Sequence, residues 1–213
     1  MLNPKGIVFD CDGVLFESKS ANLAYYNEVL RAFDVEPVTM EQRERAHICH
    51  TTATPQVFAA LLGPARAPLA IELAKQLDYK KFIPFMIPEP QLHEVMATLS
   101  SRYPLAVATN RGTSMPEILK HFNLDAYFTV VITSRDVPRP KPFPDMLHLA
   151  AQRLGFAEDE LIFIGDSELD AAAASAAGMP FIAYKSIQGE APAIASHEGI
   201  FALLDGKNFS ERF

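Results

Sequence analysis

Cysteine, clustered positive charge and long apolar runs are all scarce in this sequence, and each scarcity removes a class of protein. The two cysteines, Cys11 and Cys49, are too few for a disulfide framework and lack the spacing of a zinc site, so both are expected as reduced thiols. Nothing then points to a secretory compartment, and the sequon Asn208-Phe209-Ser210 carries no expectation of a glycan. A formal net charge of −7 argues against nucleic acid or an anionic membrane as partner, because both reward clustered Lys and Arg. It leaves room for a small anionic substrate, for which local charge matters more than the total. No apolar stretch approaches the roughly 20 residues needed to cross a bilayer, and Asp10 arrives before a signal-peptide apolar region could be completed. The expectation is a soluble, cytoplasmic chain.

What is present suffices for a full core. Of 213 residues, 49% are hydrophobic, 15 are Phe and only 21% are charged, far from the composition of a disordered chain. Apolar runs of strand length recur at residues 6–9, 104–109, 128–133, 161–165 and 180–184, with a further candidate at 199–204. They are continuous rather than alternating, as expected of a parallel sheet covered by helices on both faces. Helical signals lie between them. Ser114 and Glu117 form a capping-box start for a helix to about His121, and the helix from Asp145 ends at Gly155, a natural C′ residue. The fold class expected is α/β, a doubly wound parallel sheet.

One stretch breaks that alternation. From about Glu17 to Ile83 no strand-like run occurs. Leu23, Tyr26, Leu30 and Phe33 fall at helical spacing, Thr54-Pro55 and Gly63 bracket a second helix, and residues 68–82 read as a third. An all-helical insertion therefore follows the first strand, with hinges expected near Phe16–Ser18 and Pro84–Pro88.

The chemistry-bearing residues sit at strand ends. In "VFDCDGVLF", side-chain alternation puts Asp10 and Asp12 on one side and Cys11 on the other. Three more polar clusters follow: Thr109, Asn110 and Arg111 in "AVATNRG", Lys141 in "RPKPFPD", and Asp166 and Asp170 in "FIGDSELD". Each alone reads as a turn, a cap or a solvated charge. A parallel sheet, however, delivers all four strand ends to one edge, where open α/β sheets bind ligands. The acids there would repel one another, and an oxygen-only donor set suits Mg²⁺.

With "DCDGVL", "ATN", the Lys of "KPFPD" and "GDSELD" in that order, the sequence resembles the haloacid dehalogenase superfamily in its phosphatase branch. The resemblance covers the whole chain, with residues 1–16 and 84–213 as the α/β catalytic core and 17–83 as the helical cap. It implies a Mg²⁺-dependent phosphomonoester hydrolase acting on a small phosphorylated metabolite through an aspartyl-phosphate. Asp10 would be the nucleophile and Asp12 the general acid and base. Gly13, Thr109, Asn110 and Lys141 would bind the phosphate, Thr109 and Lys141 also serving catalysis. The metal ligands implied are the side chains of Asp10 and Asp166 and the backbone carbonyl of Asp12, with Asp170 behind them.

Candidate substrate contacts in the insertion are Arg43, Arg45, His47, His50 and Arg66, while Arg111, Arg135 and Arg139 flank the motif loops and could draw anions. A sugar-phosphate mutase of the same superfamily shares these residues and remains the alternative. A phospho-receiver module also clusters acids, a Thr and a Lys on a parallel sheet, but it has no helical insertion after its first strand.

Overall fold

The computed structural model describes residues 2–185 and 192–205; the sequon at Asn208 lies outside them. Six strands form one sheet: β1 (Gly6–Phe9), β4 (Leu105–Thr109), β5 (Phe128–Thr133), β6 (Leu161–Gly165), β7 (Phe181–Tyr184) and β8 (Ala193–Ile194). Their spatial order is β5-β4-β1-β6-β7-β8 and every pairing is parallel. The chain winds outward from β1 first to one side and then to the other. The switch point therefore falls at β1, where Phe9 pairs with Val107 on one flank and Ile164 on the other.

Alternation along β1 explains the two layers. Ile7 and Phe9 face a core shared with α5 (Leu92–Ser100) and α6 (Met115–His121), whereas Val8 faces Met146 and Leu147 of α7 (Asp145–Leu154) and Ala173 and Ala174 of α8 (Glu168–Ala177). Gly155 ends α7 in the left-handed region, φ 79°, as its C′ position in the sequence suggested.

The insertion is helical: α1 (Lys19–Arg31), α2 (Arg43–Thr51), α3 (Thr54–Leu62) and α4 (Ala67–Lys75). It carries its own apolar cluster, in which Leu30 and Val29 of α1 meet Val57 and Phe58 of α3 and Ala70 of α4. It joins the sheet domain through a two-stranded antiparallel ribbon, β2 (Phe16–Glu17) against β3 (Ile87–Pro88). Those two short strands fall where the hinges were expected.

Three local expectations change. Residues 199–204 form part of helix α9 (Gly199–Asp205) instead of a strand. Ile200, Phe201 and Leu204 bury one helical face, and the edge position belongs to β8. A short apolar run does not distinguish the two states by itself. The helix expected over 68–82 stops at Lys75, because the Asp78 side chain accepts a bond from Lys80 N and turns the chain into a short 3-10 segment. Ser114 does precede α6, yet its side chain makes no capping bond there.

Candidate active site

Four loops converge at the carboxyl edge of the sheet. β1 hands over Asp10 and, after Cys11 turns into the core, Asp12. β4 ends at Thr109 and leads into Asn110 and Arg111. Lys141 comes from the loop after β5, and Asp166 and Asp170 follow β6, Asp170 on the first turn of α8. Asp10, Asp12, Thr109, Lys141 and Asp170 are all buried.

Carboxylate oxygens of Asp10, Asp166 and Asp170 lie within 4.8 Å of one another. Lys141 Nζ stands 2.8 Å from Asp10 Oδ1 and 2.6 Å from Asp170 Oδ1. The other oxygen of Asp170 accepts from Ser167 N at 3.1 Å and Ser167 Oγ at 2.6 Å, so Asp170 is occupied on both sides. One cation does not balance three carboxylates, two of them buried and Asp166 half-buried. Burial pushes Asp10 up to about 7, Lys141 opposing and the charges of Asp170 and Asp12 adding to the push. Burial also drives Asp166 up to about 8, followed by repulsion from Asp10 and Asp170.

Two glycines make room for the acids. A Cβ on Gly13 would lie 1.9 Å from Asp166 Oδ2, and Gly13 has φ +77° besides; a Cβ on Gly165 would lie 2.4 Å from Asp170 Cβ. A hard divalent cation answers all of this: an oxygen-only donor set, two acids under pressure to protonate, and space kept clear beside them. The residues present therefore fit Mg²⁺.

Asp12 belongs to a second network. Its Oδ1 accepts from Arg111 Nη2 at 2.5 Å, from Asn22 Nδ2 at 3.2 Å and from Ser18 Oγ. Burial presses Asp12 up, but the charge of Arg111, that of His50 and the hydrogen bonds from Arg111 and Ser18 together outweigh it, and the carboxyl is held below its ordinary value. Arg111 also donates to Asn22 Oδ1 at 2.6 Å and to the hydroxyl of Tyr79. The two carboxylates of the first motif thus share an edge and differ in partner, Lys141 for one and Arg111 for the other.

Asn110 differs from expectation in one respect. Its Nδ2 donates to Thr51 O at 3.0 Å and Lys141 O at 3.1 Å, so its side-chain donors tie the insertion to the Lys141 loop and are spent before any phosphate arrives. Thr109 Oγ1 accepts from Arg111 N at 3.2 Å, which leaves its own hydrogen for a ligand.

The remaining candidates scatter. His50 lies 3.2 Å from Asn22 Nδ2 and lines the cavity between insertion and sheet, as does Arg135. His47 Nε2 meets Glu168 at 2.7 Å, a contact from α2 to α8. Arg45 donates to Gln42, Arg66 to Leu62 O, and Arg139 pairs with Asp145. Arg43 lines a separate cavity with Lys19 and His47. Sequence reading missed Ser18, Asn22 and Tyr79, and for them only the general expectation that an insertion touches the site was available.

Comparison with known proteins gives this geometry its family. A model of the haloacid dehalogenase-like hydrolases matches residues 7–184, and the chain belongs to that family. Curated relatives include phosphoglycolate phosphatase of Escherichia coli strain K12, 30% identical over 94% of this chain and 90% of the relative, and that of Shigella boydii at the same identity and coverage. Within the family the chain is a phosphatase. Among solved structures, a subfamily IA hydrolase from Geobacter sulfurreducens superposes with a TM-score of 0.83, 37% identity and coverage of 94% of this chain and 100% of that one. CbbY from Rhodobacter sphaeroides, solved with phosphate, shares the fold at a TM-score of 0.76 and 21% identity, over 91% and 95% of the two chains. Among the described residues no helix is long and apolar enough to cross a membrane.

Proposed function

We propose that this chain is a Mg²⁺-dependent phosphomonoester hydrolase acting on a small phosphorylated metabolite through an aspartyl-phosphate on Asp10. The observation that carries the reading is Lys141 Nζ between Asp10 and Asp170, beside Asp166. Asp10, Asp166 and the backbone carbonyl of Asp12 would hold the cation, with Asp170 fixing Lys141. When bound, the ion would supply charge neutralisation for the incoming phosphate.

The chain's own residues do the rest. Asp10 attacks phosphorus, forming the aspartyl-phosphate as the ester oxygen leaves. Asp12, ionised beside Arg111 in the free protein, takes up the proton that a phosphate monoanion brings on binding, gives it to the departing ester oxygen, and then takes a proton from the water that hydrolyses the acyl phosphate. Lys141 and the Thr109 hydroxyl stabilise the charge that builds on the phosphoryl oxygens. Residues 17–83 serve as a cap, the β2–β3 ribbon as its hinge, and closure excludes bulk water from the acyl phosphate. The two free, buried thiols, Cys11 and Cys49, fit a cytoplasmic enzyme.

Release of phosphate from p-nitrophenyl phosphate with Mg²⁺, with chelator, and by Asp10→Asn tests this. The expected result is turnover that needs both the ion and Asp10. Full activity in Asp10→Asn would remove Asp10 as nucleophile. Transfer of phosphate to a second sugar hydroxyl in place of release would favour the mutase.

A further inference from the structure

The cavity that Asp12 lines between the insertion and the sheet has a volume of about 390 Å³, within the size range of pockets that enclose whole organic molecules. The ester oxygen that Asp12 would protonate has to meet its carboxyl. Among the described residues the bonds to that carboxyl fall on Oδ1, which leaves Oδ2 for the oxygen. Whatever the oxygen carries then enters this cavity. A two-carbon hydroxy acid such as glycolate, with five non-hydrogen atoms, would fill only about 150 Å³ of it, at roughly 30 Å³ for each water displaced. More than half of the space would still hold water.

The lining favours a flat apolar group there. Tyr25 and Tyr26 of α1 and Tyr79 of the 3-10 segment line the cavity from the insertion, with the Tyr25 ring centroid 5.1 Å from that of Tyr26 and 5.4 Å from that of Tyr79. Ile71 of α4 adds to the same side, while Pro138 and Pro140, from the loop that carries Lys141, line it from the sheet domain. The lining cations offer little by comparison. Arg111 is spent on Asp12, Asn22 and Tyr79, and Lys75 pairs with Glu72 at 2.5 Å. Arg135 is exposed, where water and salt weaken its hold on an anion. Aromatic rings, in contrast, attract a further ring through edge-to-face and offset contacts beyond the area they bury, which a saturated ring of equal size does not share.

Resting on the phosphatase reading above, we propose that the leaving alcohol carries an aromatic ring seated among Tyr25, Tyr26 and Tyr79, so that phosphate esters of arylmethyl alcohols are preferred to those of two-carbon acids. The hydroxyls of two of these residues are engaged elsewhere, Tyr26 with Thr54 Oγ1 at 3.3 Å and Tyr79 with Arg111. Tyr25, half-buried and in contact with both other rings, is the residue that sets this specificity.

Four esters assayed with Mg²⁺ test this: ethyl phosphate, 2-phosphoglycolate, cyclohexylmethyl phosphate and benzyl phosphate. With wild-type protein, benzyl phosphate is expected to exceed ethyl phosphate and 2-phosphoglycolate by about tenfold or more in kcat/KM, from the apolar area it buries. It should exceed cyclohexylmethyl phosphate by about threefold or more, the scale of one aromatic contact. Tyr25→Phe should keep these ratios, and Tyr25→Leu should bring the benzyl-to-cyclohexylmethyl ratio to about one, with circular dichroism confirming both folds. Intrinsic reactivity of the esters cancels in that comparison. Benzyl phosphate no better than ethyl phosphate or 2-phosphoglycolate would overturn the assignment without any variant, as would equal rates for the benzyl and cyclohexylmethyl esters. A ratio unchanged in Tyr25→Leu would overturn the role of Tyr25. A failure of the phosphatase reading looks different: none of the esters, p-nitrophenyl phosphate included, would release phosphate, or Asp10→Asn would release it as fast.

Discussion

Lys141 Nζ lies 2.6 Å from Asp170 Oδ1 with the two side chains 2% and 0% exposed, and the same ammonium reaches Asp10 at 2.8 Å. A charge pair taken this far from water costs more in desolvation than it returns unless every remaining lone pair is engaged. Ser167 engages the second oxygen of Asp170. The pair therefore fixes the ammonium beside Asp10 and does little for net stability, while loss of one partner is severe.

Lys141→Met should accordingly do two things at once. It should abolish measurable phosphatase turnover, and it should lower the unfolding free energy by about 3–5 kcal/mol, as for a buried charge left without its partner. Urea unfolding in the presence of chelator gives the second quantity. A stability within 1 kcal/mol of wild type (about the spread of a surface substitution) would mean that the acids are already neutral without the lysine.

The acidic cluster gives the metal-free protein an unusual pH dependence. Asp10 and Asp166 are pushed from 3.8 up to about 7 and about 8, so between roughly pH 4 and pH 8 the folded state holds protons that the unfolded chain has released. Stability from these two groups is present at low pH and falls as pH rises through that window. On the proposed reading Mg²⁺ binds only the folded, deprotonated cluster, so adding it should reverse the trend and raise the melting temperature most at pH 8. Thermal unfolding at pH 5.5 and pH 8, with the ion and with chelator, checks this. A Mg²⁺ shift equal at both pH values would contradict it.

These acids were legible before any fold was known, because period-2 alternation and a parallel sheet are enough to bring Asp10, Lys141 and Asp166 to one edge. The partner of Asp12 was not. Arg111 reads in the sequence as a charge flanking a strand end, and its burial depends on Asn22 and Tyr79, 89 and 32 residues away in the chain. Contacts made by an insertion closing on a sheet leave no periodic trace. Asn110 illustrates the same limit: its residue type suits a phosphate donor, and the geometry that commits its Nδ2 to Thr51 O and Lys141 O is tertiary. The run at 199–204 was ambiguous for a different reason, since six apolar residues satisfy either period.

Gly13→Ala should damage the metal site while sparing the fold of the sheet. The new Cβ would meet Asp166 Oδ2 at 1.9 Å from a backbone with φ +77°, so the carboxylate or the loop has to move. Apparent Mg²⁺ affinity, from activity against ion concentration or from calorimetry, is expected to fall at least about tenfold, in line with other disturbances of ligand placement. Unchanged affinity would place the cation away from Asp166.

His197 supplies a pH effect of opposite sign through a separate set of partners. It is fully buried, its ring centroid 4.6 Å from that of Tyr184 at a tilt of 32° and its Nδ1 3.4 Å from the tyrosine hydroxyl. That hydroxyl also donates to Glu89 at 2.9 Å, and Lys185 pairs with Glu89 at 2.6 Å. Burial first, and then the positive charge of Lys185, press His197 down from 6.5 to about 3. A base with a depressed folded value stays neutral while the unfolded chain takes up its proton, so stability is lost as pH falls from about 6.5 towards 3. His197→Phe keeps a ring in the cavity and removes the titrating site. At pH 7.5 the variant should lie within about 1 kcal/mol of wild type, since a 3.4 Å contact is a weak bond and Tyr184 keeps Glu89 as its partner. At pH 4.5 it should be the more stable protein, by about 2 kcal/mol for the two pH units between 6.5 and 4.5 discounted for relaxation. Urea midpoints at the two pH values decide it, and an acid limb as steep in His197→Phe as in wild type would assign the loss to other groups.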